Sequence, residues 1–441
     1  MADTIFALSS AAGKAGVSVV RVSGPSAKES LSALTGIKNA KPREALFRSL
    51  RDPSNQSVID KALIIPFDAP ASFTGEDIVE YHLHGSISVV DALLAVLNKQ
   101  KGHRLAEPGE FTRRAFENGK LDLTEAEAVA DLINAETEAQ RLQALSQMEG
   151  ALSNLYNGWR EELIKALAYV EAVIDFPDED VPDSETKKAF PAIEKIAAEI
   201  SAHLNDNRRG ERLRNGIQVA IIGAPNAGKS SLINALAQRD VAIVSPMAGT
   251  TRDIIETYLD LGGYPVIVAD TAGIRDQTDD NAHGSIESEG IRRAIKRAED
   301  ADICVLVFDG TQAPDQQTLA LKNENSLIVF NKKDASGFKS SEGISLSVQT
   351  GENLDAFLSA ITQKIKSLYG SLRDTPSLTR TRHRAALEEC HARLMQSLQA
   401  SLPELMAEDL RVATRALGRI TGRVDVEDLL DVIFRDFCIG K

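Results

Sequence analysis

Hydrophobic and polar positions follow a mixed pattern in the first part of the chain. Short apolar runs bounded by polar residues occur at 17–22, 61–67 and 78–83, and such runs predict strands. Residues 91–97 instead carry apolar side chains at helical spacing, which predicts a helix. Together these elements predict a compact α+β domain over residues 1–118.

The spacing of apolar residues becomes helical after Leu121. Thr124 followed by Glu127 fits a capping box, in which the Thr caps a helix and the Glu reaches back. Another helical stretch covers about residues 188–213 and ends near Arg208. We therefore predict helices over residues 119–215. Their apolar stripe is expected to form a bundle core: Val129, Leu132, Ile133, Leu142, Leu145, Met148, Leu152, Leu155, Trp159, Leu163, Leu167 and Val170.

Strand-like and helical runs alternate from residue 216 to about residue 370. The apolar runs are 217–222, 265–269, 303–308, 326–330 and 343–346. Such alternation predicts a doubly wound α/β fold around a mainly parallel sheet. Residues 371–441 return to helical spacing. We therefore expect the two helical stretches to form one bundle, with the segment 216–370 inserted into it.

Charge and cysteine content narrow the classes of function. The 50 Lys and Arg residues against 64 Asp and Glu residues give a net charge of −14. Indiscriminate nucleic-acid binding needs a basic footprint and is therefore not expected. Cys304, Cys390 and Cys438 are far apart in the sequence and indicate neither a disulfide framework nor a zinc site. No run approaches the length of a membrane span and no signal peptide is recognised, so we expect a cytoplasmic location without membrane contact.

His82 and His84 lie on one face of a predicted strand, since side chains alternate along a strand. Two histidines in this arrangement are candidates for a metal pair. No third ligand follows at the spacing of a metal site. We therefore prefer a surface or core role for both residues.

The segment Gly223–Ser230 carries the chemistry around which the alternating region is organised. It reads Gly-Ala-Pro-Asn-Ala-Gly-Lys-Ser between an apolar strand and a helix, which is the setting of a phosphate-binding loop. Backbone N–H groups of such a loop and the positive helix N-terminus bind phosphate. Lys229 is expected to reach the β- and γ-phosphates, and the Ser230 hydroxyl to ligate Mg²⁺.

Four further motifs follow in the order that a GTPase needs. Gly249–Asp253 supplies a Thr that closes over magnesium. Asp270–Gly273 supplies an Asp for a magnesium-bound water and a Gly N–H for the γ-phosphate. In Asn331–Asp334 the final Asp accepts hydrogen bonds from guanine, whose paired donors adenine lacks. Ser347 opens a Ser-Val-Gln sequence where GTPases usually carry Ser-Ala-Lys.

One residue of Ras-like GTPases is missing from the chain. In those enzymes a Gln follows Asp-x-x-Gly and orients the attacking water, but Ile274 occupies that position here. No arginine finger can be assigned either, and a finger is worth roughly 10³–10⁵ in rate. Other groups must position the water and supply the positive charge.

The chain resembles the MnmE (TrmE) family of tRNA-modification GTPases over its whole length. The resemblance rests on seven segments: Phe73–Asp77, Pro108–Phe111, Asn118–Leu123, Asp175–Asp178, Pro225–Ser231, Ala248–Asp253 and Phe437–Lys441. It implies three domains. These are an N-terminal folate-binding domain that also mediates homodimerisation, a helical bundle from both flanks, and an inserted Ras-like P-loop GTPase domain.

The resemblance also implies an activity and partners. The family hydrolyses GTP and acts with MnmG, an FAD-dependent partner, in a heterotetramer or larger complex. The two proteins install aminomethyl or carboxymethylaminomethyl groups at C5 of the tRNA wobble uridine. A 5-formyl- or methylene-tetrahydrofolate supplies the one-carbon unit.

The family pattern replaces the missing positive charge with an ion. It implies K⁺ against the nucleotide, where an arginine finger would place its charge, and this ion promotes face-to-face pairing of two GTPase domains. The implied K⁺ ligands are Asn226, Ser245, Met247 and Thr250. Mg²⁺ is assigned to Ser230 and Thr251.

The family pattern also supplies a Glu that orients the catalytic water. Counting back from Gly290 places it at Glu287, with Glu289 as the alternative because the preceding segment is longer than the family pattern. Glu287 and Lys229 are the expected catalytic residues. The complete set of expected nucleotide contacts is Asn226, Ala227, Gly228, Lys229, Ser230, Ser231, Ser245, Thr250, Thr251, Asp270, Thr271, Ala272, Gly273, Asn331, Lys332, Asp334 and Ser347.

In the N-terminal domain, the resemblance assigns folate contacts to Arg21, Glu80, Lys120 and Lys441. Cationic groups suit the glutamate tail of folate, and a carboxylate suits the paired N–H donors of its pterin ring. Cys438 is left open between a nucleophile and a packing residue.

Two other readings belong to different classes. GTPases of the Era and Der kind are ribosome-assembly factors that use GTP as a switch and carry RNA-binding modules. No Gly-x-x-Gly clamp in a basic setting occurs in this chain. A scaffold that dimerises on GTP without tRNA chemistry is the third reading.

Overall fold

The fold was established with a computed structural model, which describes residues 3–175, 184–239, 241–243, 256–269, 295–296, 298–338, 342–370, 376–424, 427–435 and 437–440. The chain forms two compact units, each discontinuous in sequence. The first joins Met1–Ala130, Gln147–Ala189 and Gln399–Lys441. The second joins Asp131–Ser146 and Phe190–Leu398.

The strands, in chain order, are β1 (Thr4–Leu8), β2 (Ala15–Ser23), β3 (Leu46–Arg51), β4 (Val58–Phe67), β5 (Ile78–Gly85), β6 (His103–Leu105), β7 (Ile217–Ile222), β8 (Glu256–Asp260), β9 (Pro265–Ala269), β10 (Ile303–Asp309), β11 (Ser326–Asn331) and β12 (Ile344–Ser345). The helices are α1 (Ala27–Thr35), α2 (Ile87–Asn98), α3 (Glu110–Glu117), α4 (Leu123–Ile133), α5 (Glu138–Met148), α6 (Ala151–Asp175), α7 (Ser184–Leu204), α8 (Arg209–Asn215), α9 (Lys229–Ala237), α10 (Gln316–Leu319), α11 (Leu354–Tyr369), α12 (Thr381–Ser397), α13 (Pro403–Thr421) and α14 (Glu427–Arg435). Across the described part of the chain, no helix combines the length and apolar character that a membrane crossing requires.

The N-terminal sheet belongs to the first unit and has the strand order β3-β4-β5-β2-β1-β6. Its neighbouring strands pair antiparallel, except that β1 pairs parallel with β6. Alternate strand residues on one face, such as Val20, Ile64 and Tyr81, are buried in one cluster with residues of α1 and α2. The predicted strands and helix all fall within these elements, so the α+β arrangement is confirmed.

The opposite face of this sheet carries a row of four side chains across four strands. The register pairs Phe47 with Leu63, Leu63 with His82, and His82 with Val19. Phe47 is 62 % exposed and Leu63 38 % exposed. One face of the sheet is therefore packed against α1 and α2, whereas Phe47 and Leu63 are exposed on the other face. We call these four residues the open-face row.

The start of α4 corrects the predicted cap. Asp122, and not Thr124, caps the helix, because its Oδ1 accepts hydrogen bonds from the backbone N–H groups of Thr124 and Glu125. Glu125 reaches back to the Asp122 N–H at 2.8 Å. The capping box is therefore present but begins two residues earlier than predicted. Glu127, which was expected to reach back, is 2 % exposed.

Helix α6 confirms the helical stripe. Leu152, Trp159, Leu163 and Val170 are buried along one side, and α13 packs beside α6. Arg411 of α13 lies 3.0 Å from Glu171 of α6 and 3.2 Å from Glu408 of its own helix. Helices from before and after the nucleotide-binding segment thus contact each other within the first unit.

Six other residues of the predicted stripe are half-buried, and two are exposed. Ile133 is 40 % exposed and Met148 is 41 % exposed. Each is the last residue of its helix, α4 or α5. A side chain at a helix end extends past the packed surface, which explains the difference from the periodic pattern.

The second sheet has the strand order β12-β11-β10-β7-β9-β8. All of its neighbouring pairs are parallel except β8 with β9. The five predicted strands correspond to β7, β9, β10, β11 and β12, so the mainly parallel α/β fold is confirmed. The antiparallel edge strand β8 was not predicted, because its sequence Glu-Thr-Tyr-Leu-Asp is largely polar.

The helical stretch predicted over about 188–213 is two helices. Asn207 and Arg208 have φ angles of 53° and 55°, a left-handed conformation that ends a helix. Helix α7 therefore stops before these residues, and α8 begins at Arg209 directly after them. The prediction that the helix ends near Arg208 is wrong, since a seven-residue helix follows.

Helix α8 is held by helices from both flanks. Glu211 accepts a hydrogen bond from Arg384 of α12 at 2.8 Å, and both side chains are about one-tenth exposed. Arg214 lies 2.8 Å from Asp131, which also accepts from Arg380 at 2.9 Å. These contacts join helical segments on the two sides of the α/β region within the second unit.

A third contact ties α8 to the base of the parallel sheet. Arg212 lies 3.0 Å from Asp302, whose side chain is 7 % exposed. Asp302 also accepts a hydrogen bond from the Gln218 N–H at 2.8 Å, and its carboxylate contacts the Tyr369 hydroxyl. Burial raises the pKa of Asp302 against these stabilising contacts. The entry strand and the last helix of the α/β segment therefore meet at one buried carboxylate.

Candidate functional site

The phosphate-binding loop connects β7 to α9 and is shaped by two close approaches. A Cβ atom on Gly223 would lie 2.2 Å from the Val307 carbonyl oxygen, so the backbone of this residue touches β10. Gly228 has a φ of 96°, and a Cβ there would lie 2.1 Å from Asn331 Nδ2. Glycine is thus required at both positions by contact, and at Gly228 also by conformation.

Lys229 and Asn226 occupy opposite parts of this loop. The Lys229 ammonium donates hydrogen bonds to the carbonyl oxygens of Gly223 and Ala224, at 2.8 and 2.9 Å. Asn226 adopts a left-handed φ of 64° and its side chain is exposed. The loop backbone therefore holds the ammonium, while Asn226 is exposed.

The other predicted loop residues lie around the start of α9. Ala227 is 2 % exposed, Ser230 is half-buried in the first turn of the helix, and Ser231 is exposed. The first-turn N–H groups of α9 have no intrahelical acceptor, as at every helix start. The Ser230 hydroxyl is therefore in the part of the loop where phosphate and a divalent cation bind in such folds.

Asn331 links the phosphate-binding loop to the loops that follow β11 and β12. Its Nδ2 donates to the Ala227 carbonyl at 3.0 Å, and its Oδ1 accepts from the Val348 N–H at 3.1 Å. The residue is 4 % exposed. Its hydrogen bonds therefore position three sequence-distant segments relative to one another.

Asp334 and Ser347 lie together at this edge of the sheet. The Ser347 hydroxyl donates to Asp334 Oδ1 at 2.5 Å. Ser347 is fully buried, whereas Asp334 is exposed. The hydroxyl thus orients the carboxylate, which remains accessible to a ligand with paired N–H donors.

Lys332 has an ion-pair partner that was not predicted from the sequence. Its Nζ lies 2.7 Å from Asp309 Oδ2. Burial alone would raise the pKa of Asp309, but hydrogen bonds from Lys332 and Thr311 hold it below its usual range. Asp309 is the last residue of β10, and the carboxyl ends of parallel strands line the ligand site in such folds. The position of Asp309 at the carboxyl end of a predicted strand could therefore have identified it as a candidate site residue.

Several expected contacts lie outside the described residues, and the structure does not place them. They are Ser245, Met247, Thr250, Thr251, Asp270, Thr271, Ala272, Gly273, Glu287 and Lys441, together with Ile274 and Glu289.

A second group of predicted residues meets in the N-terminal domain. Arg21 of β2 lies directly opposite Glu80 of β5 in the strand register, and its Nε and Nη2 donate to Glu80 Oε1 at 3.0 and 2.9 Å. The guanidinium carbon is 5.4 Å from the Phe73 ring centre and 5.7 Å from that of Phe111. The charged pair is therefore flanked by aromatic rings on the outward face of the sheet.

Lys120 follows α3 and contacts the loop that carries Phe73. Its Nζ donates to the Pro70 carbonyl at 3.1 Å, and the side chain is exposed. Neighbouring Asn118 donates to the Thr74 carbonyl at 2.7 Å. The two side chains hold the loop 70–74, whose aromatic residue covers Arg21. No direct contact between Lys120 and Arg21 is present.

The C-terminal residues pack against the N-terminal domain. Ile439 forms a β-bridge with Pro108, and the Ser9 hydroxyl donates to the Gly440 carbonyl at 2.9 Å. Cys438 is exposed. The chain end is thereby brought to the domain that holds Arg21 and Glu80, although Lys441 itself is outside the described residues.

A cavity of about 760 Å³ lies beside α3 in the same unit. Arg114 in its wall is ion-paired with Asp3, Glu76 and Glu110. Burial would raise the pKa of Glu110, but hydrogen bonds from Arg104, from a backbone N–H and from Arg114 hold it below its usual range. Each of these charged side chains is ion-paired within the cluster, so we assign them a structural role.

The histidine pair also differs from a metal site. His84 Nδ1 lies 2.8 Å from Asp60 Oδ1, whereas His82 Nε2 lies 3.5 Å from Glu80 Oε2. The two histidines thus have different partners. Among the described residues, no group of three or more His, Cys, Asp or Glu side chains is arranged to hold a metal ion.

Comparisons with known proteins identify the family. Residues 4–120 match the family model "GTP-binding protein TrmE N-terminus", and residues 123–438 match the "MnmE helical domain". The chain is 55 % identical to a tRNA modification GTPase MnmE of Parvibaculum lavamentivorans over 444 residues, and 51 % identical to one of Paramagnetospirillum magneticum over 449 residues. In both comparisons all of each chain is covered.

A solved structure matches part of the chain. The G domain of the T. maritima FeoB iron transporter covers 34 % of this chain and 98 % of its own, with 25 % identity and a TM-score of 0.25. That score is too low to support an argument about the fold. The full-length relatives and the two family models carry the assignment: this chain is a GTP-hydrolysing enzyme and belongs to the MnmE family of tRNA modification GTPases.

Proposed function

We propose that the protein couples GTP hydrolysis to the modification of tRNA at C5 of the wobble uridine, in the cytoplasm. The hydrogen bonds of Asn331 carry the proposal, because they join the phosphate-binding loop to the segment that presents Asp334. A phosphate cradle and a carboxylate suited to guanine are thus parts of one site. The relatives that match over the full chain are named as tRNA modification GTPases.

Nucleoside analysis of tRNA tests this proposal. In a strain that lacks the gene, we expect the (carboxymethyl)aminomethyl groups of the wobble uridine to be absent. The wild-type gene restores them, and a Lys229→Ala gene does not, because Lys229 is the phosphate-binding cation of the loop. Normal wobble uridines in the deletion strain would refute the proposed role and favour a switch or a scaffold.

Potassium is the proposed replacement for an arginine finger. Asn226 supports it, because its exposed amide sits on the phosphate-binding loop, and an amide oxygen is a suitable ligand for a hard cation. Ser245, Met247 and Thr250 complete the proposed ligand set, and Glu287 orients the water. Mg²⁺ is held by Ser230 and Thr251. These ions would supply positive charge to the phosphates during hydrolysis.

Single-turnover GTP hydrolysis in KCl and in NaCl at equal ionic strength tests the potassium site. We expect faster hydrolysis in KCl for the wild type and equal rates for Asn226→Ala. Ser231→Ala is the matched control, because Ser231 is an exposed residue of the same loop region without a proposed K⁺ contact. Equal wild-type rates in the two salts would remove the potassium proposal.

The N-terminal domain is proposed to bind tetrahydrofolate and to form the homodimer. Arg21 and Glu80, supported by Lys120 and Lys441, form the folate site. The open-face row supports dimerisation, since exposed apolar side chains on an uncovered sheet face are typical of interfaces. Light scattering on the full-length protein tests this, with Phe47→Ser expected to give a monomer.

We also propose a complex with MnmG, the FAD-dependent partner, as a heterotetramer or larger assembly. The family resemblance is the ground for this proposal, and the flavin of the partner would supply the redox step. Residues 1–118, 119–215 together with 371–441, and 216–370 are the proposed domains. Co-purification of the two full-length proteins tests the complex.

A further inference from the structure

The ion pair of Asp309 and Lys332 lies between the two halves of the nucleotide site. The phosphate-binding loop follows β7, and Asp334 lies shortly after β11. Strand β10 lies between β7 and β11 in the sheet and is parallel to both, so the carboxyl ends of the three strands share one edge. Asp309 is the last residue of β10 and is directly opposite Asn331, the last residue of β11. The pair is therefore at the middle of this edge.

A nucleoside triphosphate that binds to both halves has to cross the end of β10. Its phosphates are at one end of the molecule and its base at the other, with the sugar between them. Neighbouring strands are about 4.8 Å apart, so the distance from β7 to β11 is about 10 Å. Side chains at the end of β10 are thus next to the nucleoside and not beyond it.

Lys332 is held at both ends of its side chain. Its backbone has a left-handed φ of 66°, a conformation that costs free energy in a residue other than glycine and persists only where the surroundings fix it. Its ammonium lies 2.7 Å from Asp309 Oδ2. The four-carbon stem therefore extends from the end of β11 to the end of β10, along the edge that the nucleoside crosses. The side chain is 37 % exposed, so a ligand can reach the stem.

Asp309 is oriented by its own neighbours before it meets Lys332. Its Oδ1 accepts hydrogen bonds from the Thr311 N–H at 3.0 Å and from the Thr311 hydroxyl at 2.6 Å. These bonds leave Oδ2 for the ammonium. The Asp309 side chain is 15 % exposed. Its carboxylate is thus a fixed anchor for the more mobile lysine.

We propose that Asp309 is a positioning residue of the nucleotide site, which holds the Lys332 ammonium so that the methylene stem of Lys332 forms a preordered wall against the nucleoside. Immobilising a side chain with many rotamers during binding costs affinity. The ion pair imposes that order before the ligand arrives. The inference rests on the proposed guanine site at Asp334.

Direct phosphate contact is the alternative role for Lys332. The charge of the pair argues against it, because the Asp309 carboxylate neutralises the ammonium and would itself repel a phosphate. Lys229 already places an ammonium on the phosphate-binding loop. A neutralised pair instead suits the uncharged nucleoside, against which the methylene groups of Lys332 pack.

Titration of the full-length protein with fluorescent GDP, together with steady-state GTP hydrolysis, tests the inference. Asp309→Asn keeps an acceptor for Thr311 and loses the charge that pairs with Lys332. We expect its affinity for GDP to fall about two- to tenfold. The KM for GTP should rise by a similar factor while kcat stays within about twofold of the wild type, because the phosphate contacts are intact.

A double-mutant cycle shows whether Asp309 acts through Lys332. Lys332→Met keeps an unbranched stem and removes the ammonium, so adding Asp309→Asn to it should cause no further loss of affinity. Asp315→Asn is the matched control: the Thr318 N–H and hydroxyl bind this carboxylate as those of Thr311 bind Asp309, but the ion pair of Lys332 is with Asp309. The control should bind GDP as the wild type does. Thermal unfolding of each variant checks that the fold is retained.

Four results would overturn the inference, and they are distinguishable. If Asp334→Asn keeps the affinity and base preference of the wild type, the proposed guanine site fails and the inference fails with it. If Asp334→Asn loses them while Asp309→Asn binds GDP normally, the site stands and the role of Asp309 is wrong. An equal loss from Asp309→Asn with and without Lys332→Met would show that Asp309 only stabilises its own turn. A lower kcat at unchanged KM would place the pair in the hydrolysis step.

Discussion

The nucleotide site and the N-terminal site are built on different principles. In the phosphate-binding loop, side chains form hydrogen bonds with backbone atoms. Lys229 donates to two loop carbonyls, and Asn331 donates to one carbonyl and accepts from one N–H. In the N-terminal domain, Arg21 and Glu80 meet side chain to side chain from positions 59 residues apart. The first site therefore depends on backbone shape, and the second on charge placed by strand register.

The largest effect is expected from Gly228→Ala. The added methyl group would lie 2.1 Å from Asn331 Nδ2, at a φ of 96° that suits only glycine. The loop has to shift, and a shift of about 1 Å at a reacting site costs roughly 10²-fold in rate. Single-turnover GTP hydrolysis measures the loss.

Gly337→Ala separates the clash from the conformational strain. Gly337 has a φ of 90°, and no atom lies within 4 Å of its added Cβ. We expect this variant to hydrolyse GTP within a few-fold of the wild type. Equal losses in the two variants would show that strain, and not loop shape, limits the site.

A smaller effect is expected from Asp334→Asn, which changes one side chain without moving the loop. Hydrogen bonds to a charged group contribute about 1.5–3 kcal/mol, so GTP affinity should fall by roughly 10–100-fold. Affinity for xanthosine triphosphate should rise, because xanthine carries a carbonyl where guanine carries an amine. Fluorescent-nucleotide titration measures both affinities.

Lys333→Ala is the control for the Asp334 variant. Lys333 is adjacent in sequence, but its ammonium pairs with Glu352 at 2.6 Å. Its GTP affinity should stay near that of the wild type. An Asp334 variant that keeps its preference for guanine would contradict the assigned role of the carboxylate.

The smallest effect is expected from Arg21→Ala, confined to the N-terminal site. The variant loses the cation between the aromatic rings and frees Glu80, so 5-formyltetrahydrofolate affinity should fall about tenfold, while GTP hydrolysis is unchanged. Arg48→Ala is the control, since Arg48 is an exposed cation of the same sheet. A loss of GTP hydrolysis in Arg21→Ala would contradict the expectation that the two sites function independently.

The contrast between the sites explains what the sequence predicts. The phosphate-binding loop is contiguous, so its glycines, Lys229 and flanking elements are recognisable without a structure. Three strands of the first sheet (β2, β4 and β5) and five of the second were also predicted, because apolar runs are local signals. The polar edge strand β8 carries no such signal.

Contacts between distant segments were not predictable from the sequence. The pairing of Asp309 with Lys332 and the position of His82 beside Glu80 depend on strand order and register. The cap of α4 shows a local limit: both Asp122 and Thr124 are good caps with an acidic residue three positions later. Packing selects between them, and Thr124 instead donates its hydroxyl to Asp122 at 2.8 Å.

The contact of Arg212 with Asp302 decides where the chain can be divided for expression in pieces. A fragment that starts at Gly216 keeps the buried Asp302 carboxylate and removes its guanidinium partner. The carboxylate, which is 7 % exposed, would then lack its cation, and a buried charge without its partner destabilises a domain. A fragment from Arg209 to Gly370 retains the pair, so α8 is the natural first element of an independently produced nucleotide-binding piece.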